Sequence, residues 1–128
     1  MTAPTIGYKG EELNLLIRQG ATFGPITGTL TGPGATPIDL TGSTIRGQVR
    51  RTAASTGIAA PLVVTLTNPT AGVFTYEILA ADTALLAAGD DENAADSQYV
   101  WDMEMVDTSG RILPLTWGKV SVFREVTK

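Results

Sequence analysis

The stretch that decides the fold is Tyr99-Val100-Trp101-Asp102-Met103-Glu104-Met105-Val106. Its largest apolar side chains occupy every second position, and the acidic residues Asp102 and Glu104 lie between them. Because successive side chains of a β-strand point to opposite faces, this pattern predicts a strand with one buried and one solvated face. Such half-buried strands are typical of antiparallel sheets.

The same alternation recurs on both sides of this stretch. Near the start of the chain it predicts a first strand over residues 12–18, in which Leu13, Leu15 and Ile17 alternate with the residues between them. The other predicted strands cover residues 23–31, 43–51, 62–67, 73–78, 111–117 and 119–126. Seven or eight short strands at this spacing predict an all-β fold, an antiparallel sandwich or small barrel.

Two segments between predicted strands have the residues of tight turns. Pro69 suits the second position of a turn, and Gly72 supplies a positive φ at the end of the same segment. The segment Asp107–Gly110 fits a short loop with its glycine in the left-handed conformation. Both segments predict β-hairpins.

A single short helix is predicted over residues 82–88. Asp82 has the side chain of a helix N-cap, and Gly89 is suited to end the helix. Leu85 and Leu86 are expected to point inward from it.

Length and composition restrict the classes of function. The chain has 128 residues, which predicts one domain, divided here into an N-terminal arm (residues 1–10) and a sandwich (residues 11–128). It contains neither cysteine nor histidine. Disulfides, thiolate–metal sites and the commonest general base are therefore excluded, and we expect no enzymatic activity, metal or other cofactor and no small-molecule substrate.

Charge and hydropathy restrict the partners. The net charge of −4 disfavours a nucleic-acid partner, because phosphate binding needs clustered lysine and arginine. No apolar run is long enough to span a membrane, and the first residues lack the pattern of a signal peptide. We therefore expect synthesis in the cytoplasm and no membrane partner.

Several residues are candidates for partner binding. The arm carries Ile6 and Tyr8, which favour docking on a neighbouring subunit over a frayed terminus. Arg46 and Arg50, with Arg51, form the densest basic cluster, which either meets an acidic partner or keeps a sheet face soluble.

Two aromatic residues and two groups of acids complete the candidates. Trp117 and Phe123 are suited to be contact anchors, since aromatic side chains dominate binding hot spots. The acids of residues 90–96 match no EF-hand and are expected to form a solvated loop rather than a calcium site. Asp102 and Glu104 are interpreted as the wet face of a strand, opposite Arg46 or Arg50, rather than as catalytic acids.

Five segments, taken in order, resemble parts of small virion proteins of tailed bacteriophages. The resemblance spans about residues 11–128, and the order and spacing of the segments are more specific than any one of them. The segments are IDLTGSTIRGQVR (38–50), NPTAGVF (68–74), the T-x-x-L-x-x-G pattern of 83–89, YVWDME (99–104) and GKVSVFREVT (118–127).

The resemblance implies an immunoglobulin-like sandwich of the kind found in phage tails, baseplates and necks, similar to the N-terminal attachment domains of baseplate and receptor-binding proteins. We expect no fibre or receptor-binding region beyond this domain, which favours an adaptor built into the virion and assembled in the host cytoplasm. Other virion proteins are the expected partners, in a symmetric homo-oligomeric assembly. The alternatives are a capsid decoration protein and a carbohydrate-binding sandwich.

Overall fold

The computed structural model describes residues 5–7, 11–88 and 97–125, which form ten strands, one α-helix and two 3₁₀ turns. The α-helix is α1 (Ala80–Thr83). The strands are β1 (Thr5–Gly7), β2 (Glu11–Glu12), β3 (Leu15–Arg18), β4 (Phe23–Thr31), β5 (Thr44–Arg50), β6 (Ala60–Pro61), β7 (Val63–Asn68), β8 (Val73–Ile78), β9 (Ser97–Val106) and β10 (Ile112–Phe123).

The strands form two sheets. The four-stranded sheet has the order β1-β4-β8-β7, and the six-stranded sheet has the order β2-β10-β9-β5-β6, with β3 also paired to β10. The orders β4-β8-β7 and β5-β9-β10 are those of strands B-E-D and C-F-G in the immunoglobulin fold. The predicted all-β, immunoglobulin-like sandwich is thus confirmed, and seven of the described strands have four residues or more.

The pairing is antiparallel throughout the centre of both sheets. The three N-terminal strands differ, because β1 pairs in parallel with β4, and β2 and β3 pair in parallel with β10. The N-terminal part of the chain therefore lies along edges of both sheets. Residues 5–7, predicted to belong to a docking arm, are a strand of the domain's own sheet.

The prediction of one first strand over residues 12–18 is wrong, because β2 and β3 are separated by Leu13 and Asn14. The backbone N–H of Leu13 donates to the Trp117 carbonyl, and the side-chain oxygen of Asn14 accepts from the backbone N–H of Lys119. Leu13 is exposed, whereas Leu15 and Ile17 are buried.

The predicted break between residues 117 and 119 is also wrong. Strand β10 runs without interruption from Ile112 to Phe123. Gly118 does not end a strand but makes room for a neighbour, because a Cβ at this position would collide with the Leu13 carbonyl.

The helix is shorter and earlier than predicted. It covers Ala80–Thr83, so Asp82 lies inside it and is not its N-cap. Leu86 is buried as predicted, but Leu85 is 79% exposed, because the chain leaves the helix before that residue. Gly89, the predicted end, lies outside the described residues.

Two of the segments that resemble virion proteins pack against each other. The Leu40 side chain is buried, and its backbone N–H donates to the Pro69 carbonyl over 2.8 Å. Gly72 has φ +74°, and a Cβ there would collide with the carbonyls of Leu30 and Ile38. The first predicted turn therefore has its expected left-handed glycine, and so does the second, at Gly110.

The backbone of Leu13 passes close to Gly118, and we call this approach the N-terminal crossing. A substitution at Gly118 tests it directly. We expect Gly118→Ala to lower the free energy of unfolding by about 1–3 kcal/mol, because the added methyl forces the Leu13 backbone away from β10. Gly57→Ala is the matched control, since nothing lies within 4 Å of its Cβ position. It should leave stability unchanged or slightly raised. Urea unfolding followed by circular dichroism measures both, and equal midpoints would contradict the crossing.

Candidate functional site

The outer face of the six-stranded sheet forms a concavity of about 710 Å³, which we call the outer groove. Strands β5, β9 and β10 supply most of its floor and walls. The residues that line it are Glu12, Arg46, Gly47, Gln48, Arg50, Ala53, Val100, Trp101, Asp102, Glu104, Trp117, Gly118 and Lys119. Its size is within the range typical of ligand-binding pockets.

A row of three neighbours crosses the floor of the outer groove. Trp117 on β10 is the ladder partner of Asp102 on β9, which is in turn the partner of Gln48 on β5. Directly opposed side chains of an antiparallel pair lie about 5 Å apart at Cβ. Trp117 is 42% exposed, so aromatic surface faces solvent beside a carboxylate and an amide.

A β-bulge turns Trp117 outward. The register between β9 and β10 shifts between Pro114 and Thr116, so that both Leu115 and Thr116 are buried in succession. Strict alternation from Leu115 would have placed Trp117 inward. Bulges commonly re-aim side chains in this way, and here the result is an exposed tryptophan on a sheet face.

The two predicted arginines lie in the groove with different partners. Arg46 forms an ion pair with Glu104, 2.6 Å between Nη2 and Oε1, which confirms the expected cross-strand pairing of an acid with an arginine. Arg50 donates to the Gln48 side-chain oxygen and, over 2.8 Å, to the Ser55 carbonyl. Arg50 therefore holds the loop after β5 against the groove.

Asp102 has no hydrogen-bond partner among the residues that the structure describes. Partial desolvation on the groove floor raises the pKa of Asp102 above its ordinary value, and the neighbouring Glu104 adds to the effect. Arg50 and Arg46 oppose it, but they do not reverse it. The positive charge around Asp102 is thus insufficient to compensate its carboxylate.

The structure brings three of the six predicted partner-binding residues together, because Arg46, Arg50 and Trp117 line one groove. Phe123 lies outside it, further along β10, where the Arg18 guanidinium lies 5.1 Å from the centre of its ring. Ile6 lies in β1, at the edge of the other sheet. Tyr8 lies outside the described residues.

Sequence reasoning missed Gln48 and Lys119 as members of the site. Both follow the outward alternation of their strands, at two residues from Arg46 and from Trp117, and that spacing was the available signal. Asp102 was expected on a wet face, where it does lie, but not beside the exposed tryptophan.

The remaining predictions about binding concern metals and membranes. Within residues 11–88 and 97–125, no group of three or more acidic side chains is placed to hold a metal ion. Residues 90–96, which were expected to form a solvated acidic loop, lie outside the described residues. No helix in the described part of the chain is long and apolar enough to cross a membrane.

Comparisons with known proteins do not identify a family. No protein-family model matches the sequence, and a search of curated proteins gives no significant match. The five sequence segments and the geometry of the outer groove are the observations that bear on function.

Because the pKa of Asp102 is raised, replacing this residue with a neutral one should increase the stability of the fold, and the increase should depend on pH. Above its folded-state pKa, the ionised carboxylate costs stability. This cost disappears below pH 3.8, the ordinary pKa of aspartate, because Asp102 is then protonated in both the folded and the unfolded state. We expect Asp102→Asn to be more stable than the native chain at pH 7 by less than about 1 kcal/mol, with the difference lost near pH 3.

Asp39→Asn is the control, and it should lower the stability of the fold at neutral pH where Asp102→Asn raises it. Hydrogen bonds from Thr41 lower the pKa of Asp39, so its carboxylate stabilises the fold at neutral pH and the contribution is lost as the pH falls through that lowered value. Urea midpoints measured between pH 3 and 7 compare the two variants. A destabilised Asp102→Asn at pH 7 would show that the carboxylate is well compensated.

Proposed function

We propose that this chain is a structural protein of a tailed-bacteriophage virion, an adaptor of the tail, baseplate or neck that works by protein–protein assembly. The observation that carries the assembly role is Trp117, a large aromatic side chain 42% exposed on a sheet face and surrounded by charged residues. Aromatic anchors inside a polar rim are the usual centre of protein interfaces.

The location in a virion is supported by the ordered resemblance of five segments. In this fold those segments specify structure. Thr83 is a clear case, because its buried hydroxyl donates to the Ala21 carbonyl over 2.7 Å and so ties α1 to the turn before β4. Val120 and Val122 of the last segment are fully buried. The resemblance thus lies in residues that stabilise the sandwich fold. The proposed location in a virion therefore rests on a likeness of architecture to phage virion proteins.

A position on the capsid, as a decoration protein, is the first alternative. It uses the same sandwich and the same kind of docking face, and copy number separates the two. Quantitative mass spectrometry of purified particles should give tens of copies or fewer for a tail or neck adaptor. Hundreds of copies would favour decoration, and a particle without the chain would end the virion proposal.

Carbohydrate binding is the second alternative, and the outer groove is the observation that favours it. An exposed indole beside Asp102 and Gln48 offers an apolar platform with hydrogen-bonding groups, which is also how proteins hold sugars. This reading requires glycan binding that depends on Trp117. If the native chain bound no sugar on a glycan array, the carbohydrate-binding alternative would be ruled out.

The assembly role predicts that the groove tryptophan is needed for incorporation. In a tailed phage that encodes this chain, Trp117→Ser should reduce the amount of the protein in purified particles at least about tenfold, because interface hot spots contribute about 2 kcal/mol or more. Leu85→Ser is the matched control, since Leu85 is 79% exposed and lies outside the groove. Equal incorporation of the two folded variants would contradict docking through the groove.

A further inference from the structure

The side chains of the outer groove differ in whether they are already engaged. Arg46 and Glu104 are paired with each other, and the donors of Arg50 are directed to Gln48 and to loop carbonyls. Three charged side chains have no such partner among the described residues: Glu12, Asp102 and Lys119. Of these, Glu12 on β2 and Asp102 on β9 are both register partners of Trp117, and Asp102 is the partner in the antiparallel pair.

The pairing of Asp102 with Trp117 defines what the groove can recognise. A carboxylate accepts two hydrogen bonds in one plane, which matches the fork of a guanidinium group. The face of an indole ring is the strongest cation–π acceptor among protein side chains. A carboxylate and an exposed indole on adjacent strands therefore complement a flat cation better than an anion or an apolar side chain.

The rest of the chain uses the same contact inside its own fold. The Arg18 guanidinium lies 5.1 Å from the centre of the Phe123 ring, and that of Arg51 lies 4.8 Å from the centre of the Tyr99 ring. Trp117 is exposed and has no arginine over it from the described residues. It has the aromatic half of this contact available for a cation from outside.

We propose that the outer groove accepts one arginine side chain of an assembly partner, paired with the Asp102 carboxylate and stacked on Trp117. This inference rests on the proposed assembly role and adds the chemistry of the partner. The incomplete compensation of Asp102 by Arg46 and Arg50, which its raised pKa indicates, leaves room for the added positive charge. Lys119 and Glu12 lie at the same groove, where each can contact charged groups that flank the inserted arginine.

The test uses the full chain labelled with ¹⁵N and a short peptide, acetyl-Gly-Arg-Gly-amide, as the probe. The chain has two tryptophans, so the two indole N–H signals report on the groove and on the core separately. The peptide should shift the Trp117 signal in a saturable way and leave that of Trp101, which is 3% exposed, unchanged. The isosteric citrulline peptide lacks the charge and should shift neither signal.

Two variants test the assigned contacts. Followed through the backbone N–H signals of the groove residues, Asp102→Asn should weaken binding of the arginine peptide about fivefold, and Trp117→Leu about threefold, each with a native-like spectrum. Asp82→Asn, which removes an acid outside the groove, should leave the affinity unchanged. Binding to native protein should also weaken as the pH falls through the pKa of Asp102, since protonation removes the charge.

Three results would overturn the inference: no shift of Trp117 by the arginine peptide, equal shifts by the citrulline peptide, or unchanged affinity in Asp102→Asn. A shift of Trp117 by an oligosaccharide but not by the peptide would also overturn it, in favour of a sugar site. These outcomes concern the groove alone. The virion proposal fails separately, through absence of the chain from particles, so the two failures are distinguishable.

Discussion

The rest of the structure depends on two contacts of the Trp101 indole, one with the Tyr76 ring and one with the Leu13 carbonyl. The centres of the Trp101 and Tyr76 rings lie 6.1 Å apart, with 23° between the ring planes. This stack joins β9 of one sheet to β8 of the other. The Trp101 N–H donates to the Leu13 carbonyl over 2.7 Å, which fixes the N-terminal crossing to the same point. The buried Trp101 N–H would cost about 1–3 kcal/mol if it were left unpaired, so this bond constrains where the N-terminal segment lies.

The same two contacts position the outer groove. Asp102 follows Trp101 and must point to the opposite face of β9, so a fixed indole on the inside fixes a carboxylate on the outside. Trp117 is held from both sides, by β9 through the ladder and by the backbone N–H of Leu13. The groove is therefore built on paired strands rather than on loops, and its geometry is set by the core.

Much of this fold was predictable from the sequence, because strand periodicity and turn chemistry are local. The alternation in residues 99–106 and the glycines at 72 and 110 predicted strands and hairpins that the structure has. The crossing of Leu13 over Gly118 was not predictable in this way, because it depends on residues about a hundred positions apart. Leu85 was misplaced for a related reason, since a helix of one turn has too few residues to define a face.

The candidate site was predictable only in part. Arg46, Arg50 and Trp117 were chosen for their residue types, and the sheet register then placed them in one groove. What the sequence does not contain is the bulge at Leu115, which decides the face that Trp117 occupies. A one-residue shift of register reverses every later side chain, so exposure at this position depends on pairing and not on composition.

The most direct test of this account is a reconstruction of the assembled phage particle at a resolution that traces side chains. We expect the chain to be present and its outer groove to be covered by a different virion protein, with Trp117 buried and an arginine of that protein on Asp102. A particle that lacks the chain, or one in which the groove faces solvent while another surface makes the contacts, would contradict it.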